Sequence, residues 1–230
     1  MAAPIAAPMA AAYFRPQIVA VLGRNWKRDV LAAGQADMIE LRLDLIEEAD
    51  PLQALQAVRE ACKARPIIAT ARIRTEGGGF SGSEQERIGL LLRAEPHCDY
   101  LDIELMAPGR DELLAAAKRP AIVSYHDFQG MPDPERMDEI FSAMKKAGAA
   151  ISKIAMTPQS LQDNIKVLQF LQDADTPLCM IAMGTIGRHL RAVAPLYGSA
   201  LTYGYITDST APGQMSLHDL CLARDLLEKY

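Results

Sequence analysis

The chain is poor in several features at once, and each shortage excludes a class. Its four cysteines, Cys62, Cys98, Cys179 and Cys221, lie far apart with no C-x-x-C pair. That spacing rules out a zinc ribbon or disulfide framework, sets no metal site, and fits a reducing cytoplasm. Basic charge is not in excess, since the formal net charge is −5; nucleic acid is therefore not the expected partner. No apolar run approaches the ~18 residues that cross a bilayer, so no membrane partner is expected. The opening Met1-Ala-Ala-Pro-Ile-Ala-Ala-Pro8 stretch lacks a basic leader and is broken by Pro4 and Pro8. Residues 1–16 are expected to form a mobile tail, not a signal peptide. A G-x-G-x-x-G turn after the first apolar segment is also missing, which weakens the case for an open doubly wound sheet.

What is present is a regular alternation of two periodicities. With 230 residues and 50% hydrophobic composition, the chain can bury one large core or two small ones. Apolar, β-branched runs predict strands at residues 18–23, 38–44, 67–72, 100–104, 121–126, 150–156, 178–183 and 200–205. Between them, helical spacing of apolar residues predicts helices at 51–64, 83–94, 134–146, 158–171 and 186–196. Ser83 with Glu86 reads as a capping box, and Pro51, Pro134 and Pro158 as first-turn prolines. Eight such units in this length match a single-domain (β/α)8 barrel over residues 17–230.

The run Ile39-Glu-Leu-Arg-Leu-Asp-Leu45 alternates strictly between apolar and ionisable side chains. Strand geometry puts Glu40, Arg42 and Asp44 on one face. In a hairpin protein that face would meet water; in a barrel covered by helices it points inward, where unpaired charge is costly. The same parity sets Thr70 with Arg72, Asp102 with Glu104, Ser124 with His126, and Lys153 with Ala155. Barrel chemistry gathers at the carboxyl ends of the strands. Lys153 is either a solvated edge charge or, buried among apolar neighbours and arginines, a nucleophilic amine for ketones. His126 is either a packed ring or, beside such a lysine, its proton shuttle. Gly184-Thr-Ile-Gly187 reads as a tight strand-to-helix turn in preference to a phosphate cradle.

Taken in order, Glu40-Leu-Arg-Leu-Asp44, Thr70-Ala-Arg72 with Glu76-Gly-Gly-Gly, Ser124-Tyr-His-Asp-Phe128, Lys153-Ile-Ala-Met156, Met183-Gly, Arg191, Tyr197-Gly-Ser199 and Ala211-Pro-Gly-Gln214 carry a resemblance. From about Val19 onward the chain resembles type I 3-dehydroquinate dehydratase. The family is a cofactor-free (β/α)8 barrel that converts 3-dehydroquinate to 3-dehydroshikimate through an imine, the third step of the shikimate pathway. The resemblance implies Lys153 as Schiff-base residue, His126 as the base and acid of a syn elimination, and Glu76 as the carboxylate that orients and charges the histidine. It further implies Arg191 as carboxylate clamp, Gln214 as lid residue, and Glu40 and Arg72, with Arg42 nearby, as partners of the ring hydroxyls. Thr210 would bond the substrate. Asp44, Asp102, Met183, Phe128 and Tyr203 would stand behind these, and a homodimer is implied.

Three positions depart from the family pattern: Thr210 where serine is common, Ile181 where methionine is common, and Tyr203 where phenylalanine is expected. These bear on affinity and lid closure. Two rivals are a class I aldolase, which needs a sugar-phosphate site after strands seven and eight, and a non-catalytic module that has kept the barrel. Arg191 and Gln214 suit a carboxylate, and a binding module has no use for Lys153.

Overall fold

The computed structural model describes residues 15–48, 50–62 and 64–227. Most of the expected N-terminal tail, residues 1–14, lies outside the described residues. Strands and helices alternate as β1 (Gln17–Leu22), α1 (Trp26–Ala32), β2 (Met38–Arg42), α2 (Pro51–Ala61), β3 (Ile67–Thr70), α3 (Glu84–Ala94), β4 (Tyr100–Glu104), α4 (Arg110–Ala116), β5 (Ala121–Asp127) and α5 (Pro134–Lys146). They continue as β6 (Ile151–Met156), α6 (Leu161–Asp173), β7 (Leu178–Ala182), α7 (Gly184–Gly187), α8 (Leu190–Val193), β8 (Leu201–Tyr205), β9 (Met215–Ser216) and α9 (Leu217–Leu227).

All strand pairings are parallel, in the order β7-β6-β5-β4-β3-β2-β1-β8-β9. The ring closes between β7 and β8, where the Ala200 N–H donates to the Leu178 carbonyl at 2.8 Å. This is the (β/α)8 barrel. β9 is a two-residue addition to β8 that strand periodicity cannot detect.

Parity divides the core in two. Between strands and helices lie Ala20, Leu22, Ile39, Leu41, Ile67, Leu101, Ile103, Val123 and Ile154 with the helix stripes. Inside the ring lie Val19, Val21, Met38, Ile68, Ile122, Ala155, Cys179, Ile181 and Tyr203. Of the inner set, Val21, Ala155, Ile181 and Tyr203 line the pocket among the polar residues, and the others pack inside the ring away from it.

Several expected boundaries shift. Residues 38–44 are a strand only to Arg42; Leu43–Leu45 is a 3-10 turn. Strand three ends at Thr70, leaving Arg72 just beyond it. Pro51 and Pro134 do open helices, but Pro158 precedes one, because Ser160 caps α6 through a box with Asp163. The helix expected at 186–196 is broken into α7, α8 and a 3-10 turn at Ala194–Tyr197. Three helices, α1, α4 and α9, were not anticipated by the spacing. The Ser83 box holds as read: Ser83 Oγ accepts from the Glu86 N–H while Glu86 Oε2 accepts from the Ser83 N–H at 2.7 Å. Ser83→Ala is expected to cost about 1 kcal/mol, a fall of roughly 2–4 °C in Tm for a chain of this size, read in a thermal melt.

Candidate active site

Lys153 projects from the middle of β6 into the ring and is 4% exposed. It is buried, not a solvated edge charge, and its nearest partners are acids in place of the apolar neighbours and arginines expected. Nζ lies 3.1 Å from Asp102 Oδ2 and 3.6 Å from Glu40 Oε1. The reason is parity across the barrel, since β2 and β4 both turn a carboxylate into the ring, Glu40 and Asp102. The ammonium also stands over the Tyr203 ring, 4.2 Å from its centroid, a cation–π contact.

The carboxylates are themselves held. Arg72 Nη2 pairs with Asp102 at 2.8 Å, and its Nη1 donates to Glu104 at 3.0 Å and to Ser124 Oγ at 2.6 Å. Ser124 donates to Asp102 at 2.7 Å, and Thr70 donates to Glu40 at 2.9 Å. Burial pushes the Asp102 carboxyl up, but Arg72 and then Lys153 outweigh it and leave it below the usual carboxylate range. Arg72 is likewise penalised by burial and raised further by Asp102 and Glu104. Its Nη1 and Nη2 groups are thus engaged with Glu104, Ser124 and Asp102. Arg42 makes a bidentate pair with Asp44 at 2.9 and 2.7 Å, and Asp44 also accepts from the Gly79 N–H.

His126, near the end of β5, meets Glu76 from the loop after β3. Glu76 Oε2 lies 2.8 Å from His126 Nδ1 and accepts the His126 backbone N–H at 3.0 Å. Gly77 makes this approach possible: its φ is +79°, and a Cβ there would stand 2.5 Å from the Phe128 ring, which stacks on His126. Burial, with Arg72 and Lys153 nearby, holds the imidazole well below its ordinary value of 6.5. Burial pushes Glu76 up to about 7. Burial thus disfavours the charged form of both groups, and a tautomer that donates Nδ1–H to Glu76 leaves Nε2 as the basic nitrogen.

Arg191 of α8 is 4% exposed and faces the same pocket. Among the described residues it has no acidic partner; Nη2 reaches only the Pro212 carbonyl at 3.3 Å, and Nε bonds nothing. Burial lowers its guanidinium to about 10. Gln214 is buried beside it, its Oε1 accepting from the Thr210 N–H at 2.8 Å and the Thr210 hydroxyl at 3.2 Å. Gly213, at φ +68°, lets this loop lie against Gly184. The Gly184–Gly187 segment, where a tight strand-to-helix turn is expected, is itself the four-residue helix α7 that follows β7 after Met183. Tyr203 keeps a buried hydroxyl with no partner among the described residues.

One pocket is lined by Glu40, Arg42, Arg72, Glu76, His126, Phe128, Lys153, Met183, Arg191, Tyr203, Thr210 and Gln214. Asp44 and Asp102 stand behind it on Arg42 and Lys153. Sequence reading missed two contributions. Arg87, fully buried on α3, bonds Glu104; its signal was a charge at a core position of an amphipathic helix. Asn25 and Asp29 bond Asp208 and Thr207 at 2.5 Å each and tie the loop that carries Gln214 to α1; no local pattern marks that contact.

A parallel barrel with an amine, an imidazole and a buried guanidinium in one pocket is the architecture of a (β/α)8-barrel enzyme. Comparison with known proteins narrows it. The family model described as type I 3-dehydroquinase matches residues 26–230. A 3-dehydroquinate dehydratase of Methanothrix thermoacetophila is 51% identical over 207 residues, 89% of each chain. That of Methanococcoides burtonii is 36% identical, covering 93% of this chain and 95% of its own. Among solved structures, the dehydratase of Geobacillus kaustophilus superposes with a TM-score of 0.85 at 27% identity, covering 94% and 92% of the two chains. The type I enzyme of Clostridium difficile, solved with covalently modified comenic acid, has a TM-score of 0.82 at 28% identity, covering 94% and 93%. The chain belongs to the type I 3-dehydroquinase family, and it is a lyase of the hydro-lyase class.

Proposed function

We propose that the protein dehydrates 3-dehydroquinate to 3-dehydroshikimate by syn elimination through an imine on Lys153, the third step of the shikimate pathway. The observation that carries this reading is the meeting in one pocket of the Lys153 amine, His126 and a buried Arg191 that has no acidic partner among the described residues. Glu40, 3.6 Å from Nζ, is placed to take the ammonium proton. The amine then adds to the C3 ketone carbon, and the carbinolamine hydroxyl leaves as water with the proton Glu40 took, giving a protonated imine. His126 removes a C2 proton, and the C–H electrons form an enamine. The enamine expels the C1 hydroxyl, which leaves as water with the proton His126 took, so one residue serves both steps on one face. Water hydrolyses the conjugated imine, releasing product and restoring Lys153. The chemistry calls for neither metal nor organic cofactor. The covalently modified ligand in the Clostridium difficile relative is in keeping with a nucleophile in the family's pocket.

Binding falls to the rest of the pocket. Arg191 clamps the substrate carboxylate, Gln214 and Thr210 close over it, and Glu40, Arg42 and Arg72 face the ring hydroxyls. Mixing the protein with 3-dehydroquinate should give the near-ultraviolet absorbance of the conjugated enone; no absorbance change at high enzyme concentration would remove the reading.

Arg191→Ala deletes a charge-assisted fork in a poorly hydrated site and is expected to weaken substrate binding by roughly 2 to 4 kcal/mol, about 30-fold to 1000-fold in KM. Arg191→Lys should recover part, because an ammonium lacks the planar fork. An unchanged KM for 3-dehydroquinate, with loss of turnover of a sugar phosphate, would put a class I aldolase in its place.

The reading extends to a cytoplasmic homodimer. All four cysteines are free thiols, which suits a reducing compartment, and among the described residues no helix is long and apolar enough to cross a membrane. Leu161 and Ile165 on α6, Ile186 on α7, and Leu196 and Tyr197 are exposed on adjoining elements. Sedimentation should find two copies, and Leu161→Asp with Ile165→Asp should separate them.

A further inference from the structure

Arg87 lies on the core stripe of α3 with Ile88, Leu91 and Ala94, and its side chain is wholly buried. A guanidinium there is costly unless its donors are used. Nε and Nη2 donate to Glu84 at 2.8 Å each, and Nη1 donates to the Ala71 carbonyl at 3.0 Å and to Glu104 Oε2 at 2.8 Å. The other Glu104 oxygen accepts from Arg72 and from the Ile73 N–H, both at 3.0 Å. Arg72 passes on to Asp102 at 2.8 Å, and Asp102 to Lys153 at 3.1 Å. An unbroken row of alternating charge therefore runs from the helix layer, over the carboxyl ends of β3 and β4, to the amine.

Arg72 and Arg87 are the two cations on Glu104 among the described residues. Without Arg87, Glu104 has Arg72 alone and draws it away from Asp102, and the cluster carries one more uncompensated negative charge. We propose that Arg87, which does not line the pocket, is a positioning residue for the reaction: it holds Arg72 between Glu104 and Asp102 and so sets the place of the Lys153 amine and the charge it faces. This rests on reading Lys153 as the imine-forming residue.

The test is steady-state turnover of 3-dehydroquinate against pH for Arg87→Met, which removes the charge, and Arg87→Lys, which keeps charge without the fork. Borohydride labelling of wild-type Lys153 runs beside them. Arg87→Met should lower kcat about tenfold or more while KM moves less than about threefold, because the lost contact is remote from the substrate. The acid limb of kcat/KM should move up by about half to one pH unit, since a more negative cluster favours the protonated forms of the groups, Glu76 among them, that must lose a proton to act. The charged and titratable groups acting on His126 are Glu76, Arg72, Lys153, Asp102 and Arg42, none of them altered in these variants. Arg87→Lys should keep the wild-type limb and recover only part of kcat, since an ammonium cannot hold Glu84, the Ala71 carbonyl and Glu104 together.

Should Arg87→Met fail to fold, Arg87→Lys decides alone: kcat lowered about threefold or more at an unmoved limb supports the proposal, and wild-type kcat overturns it. A folded Arg87→Met with wild-type kcat and limb, or with loss of thermal stability only, overturns it too. No borohydride label on Lys153 in the wild type would remove the imine reading and this inference with it.

Discussion

Borohydride added during turnover is expected to inactivate the enzyme and leave a substrate-sized mass on Lys153, and Lys153→Ala to abolish both the label and the reaction. Hydride reduces the imine to a stable amine, so the mass records where the imine formed. Lys145, Lys146 and Lys166 lie on α5 and α6, outside the ring; Lys145 pairs with Asp175 at 2.8 Å and Lys166 with Asp163 at 3.1 Å. Label on any of them, in an active enzyme, would remove the mechanism. Without the amine no iminium can draw electrons from C2, and kcat should fall on the order of 10⁴-fold or more. The fold should survive, because Asp102 keeps Arg72 and Ser124 as partners, and a buried acid that retains its bonds avoids the full penalty of an orphaned charge.

His126→Ala should cut kcat by on the order of 10² to 10⁴-fold, the range for loss of a positioned acid–base group, while imine still accumulates and can be trapped. Near-normal turnover would force the shuttle to be reassigned. The pH dependence has a definite sign. Burial, then Arg72 and Lys153, lower the imidazole's proton affinity, so it remains a base well below 6.5. Burial raises Glu76 to about 7, so as pH rises through that value the carboxylate becomes able to accept the Nδ1 proton firmly and make Nε2 the stronger base. Activity of the wild type should therefore rise through about pH 7. In Glu76→Gln that rise should vanish, with kcat held at a low, flat value; an unchanged profile would mean that Glu76 does not govern the base.

Period and parity made much of this legible. The strand at Tyr100–Glu104 and the helix at Pro134–Lys146 fall where alternation and helical spacing place them. Alternation also assigned Glu40, Asp102, Ser124, His126 and Lys153 to the inner face. What local reading could not supply was any contact between residues far apart in the chain. Lys153 was expected among apolar side chains and arginines. The ring instead brings it Glu40 and Asp102, from strands more than fifty residues upstream. The helix expected at 186–196 failed for a similar reason. A Cβ on Gly187 would lie 2.5 Å from the Ala182 Cβ, so the chain packs tightly on β7 and breaks where the spacing alone looked continuous. Asp163 escaped notice as half of a capping box because the usual partner at that position is Glu or Gln.

The sequence by itself therefore determined the class of fold, the inward parity of the polar residues and the family, because strand and helix periods are local and the motifs run in a fixed order. Only the tertiary structure decided the state of the site. Which acid faces Lys153, that burial lowers the His126 imidazole, that Arg191 meets no acid among the described residues and that Arg87 reaches the amine through two carboxylates and Arg72 all depend on distances across the barrel. Charge interactions and desolvation act through space, and neighbours in space here are mostly strangers in sequence.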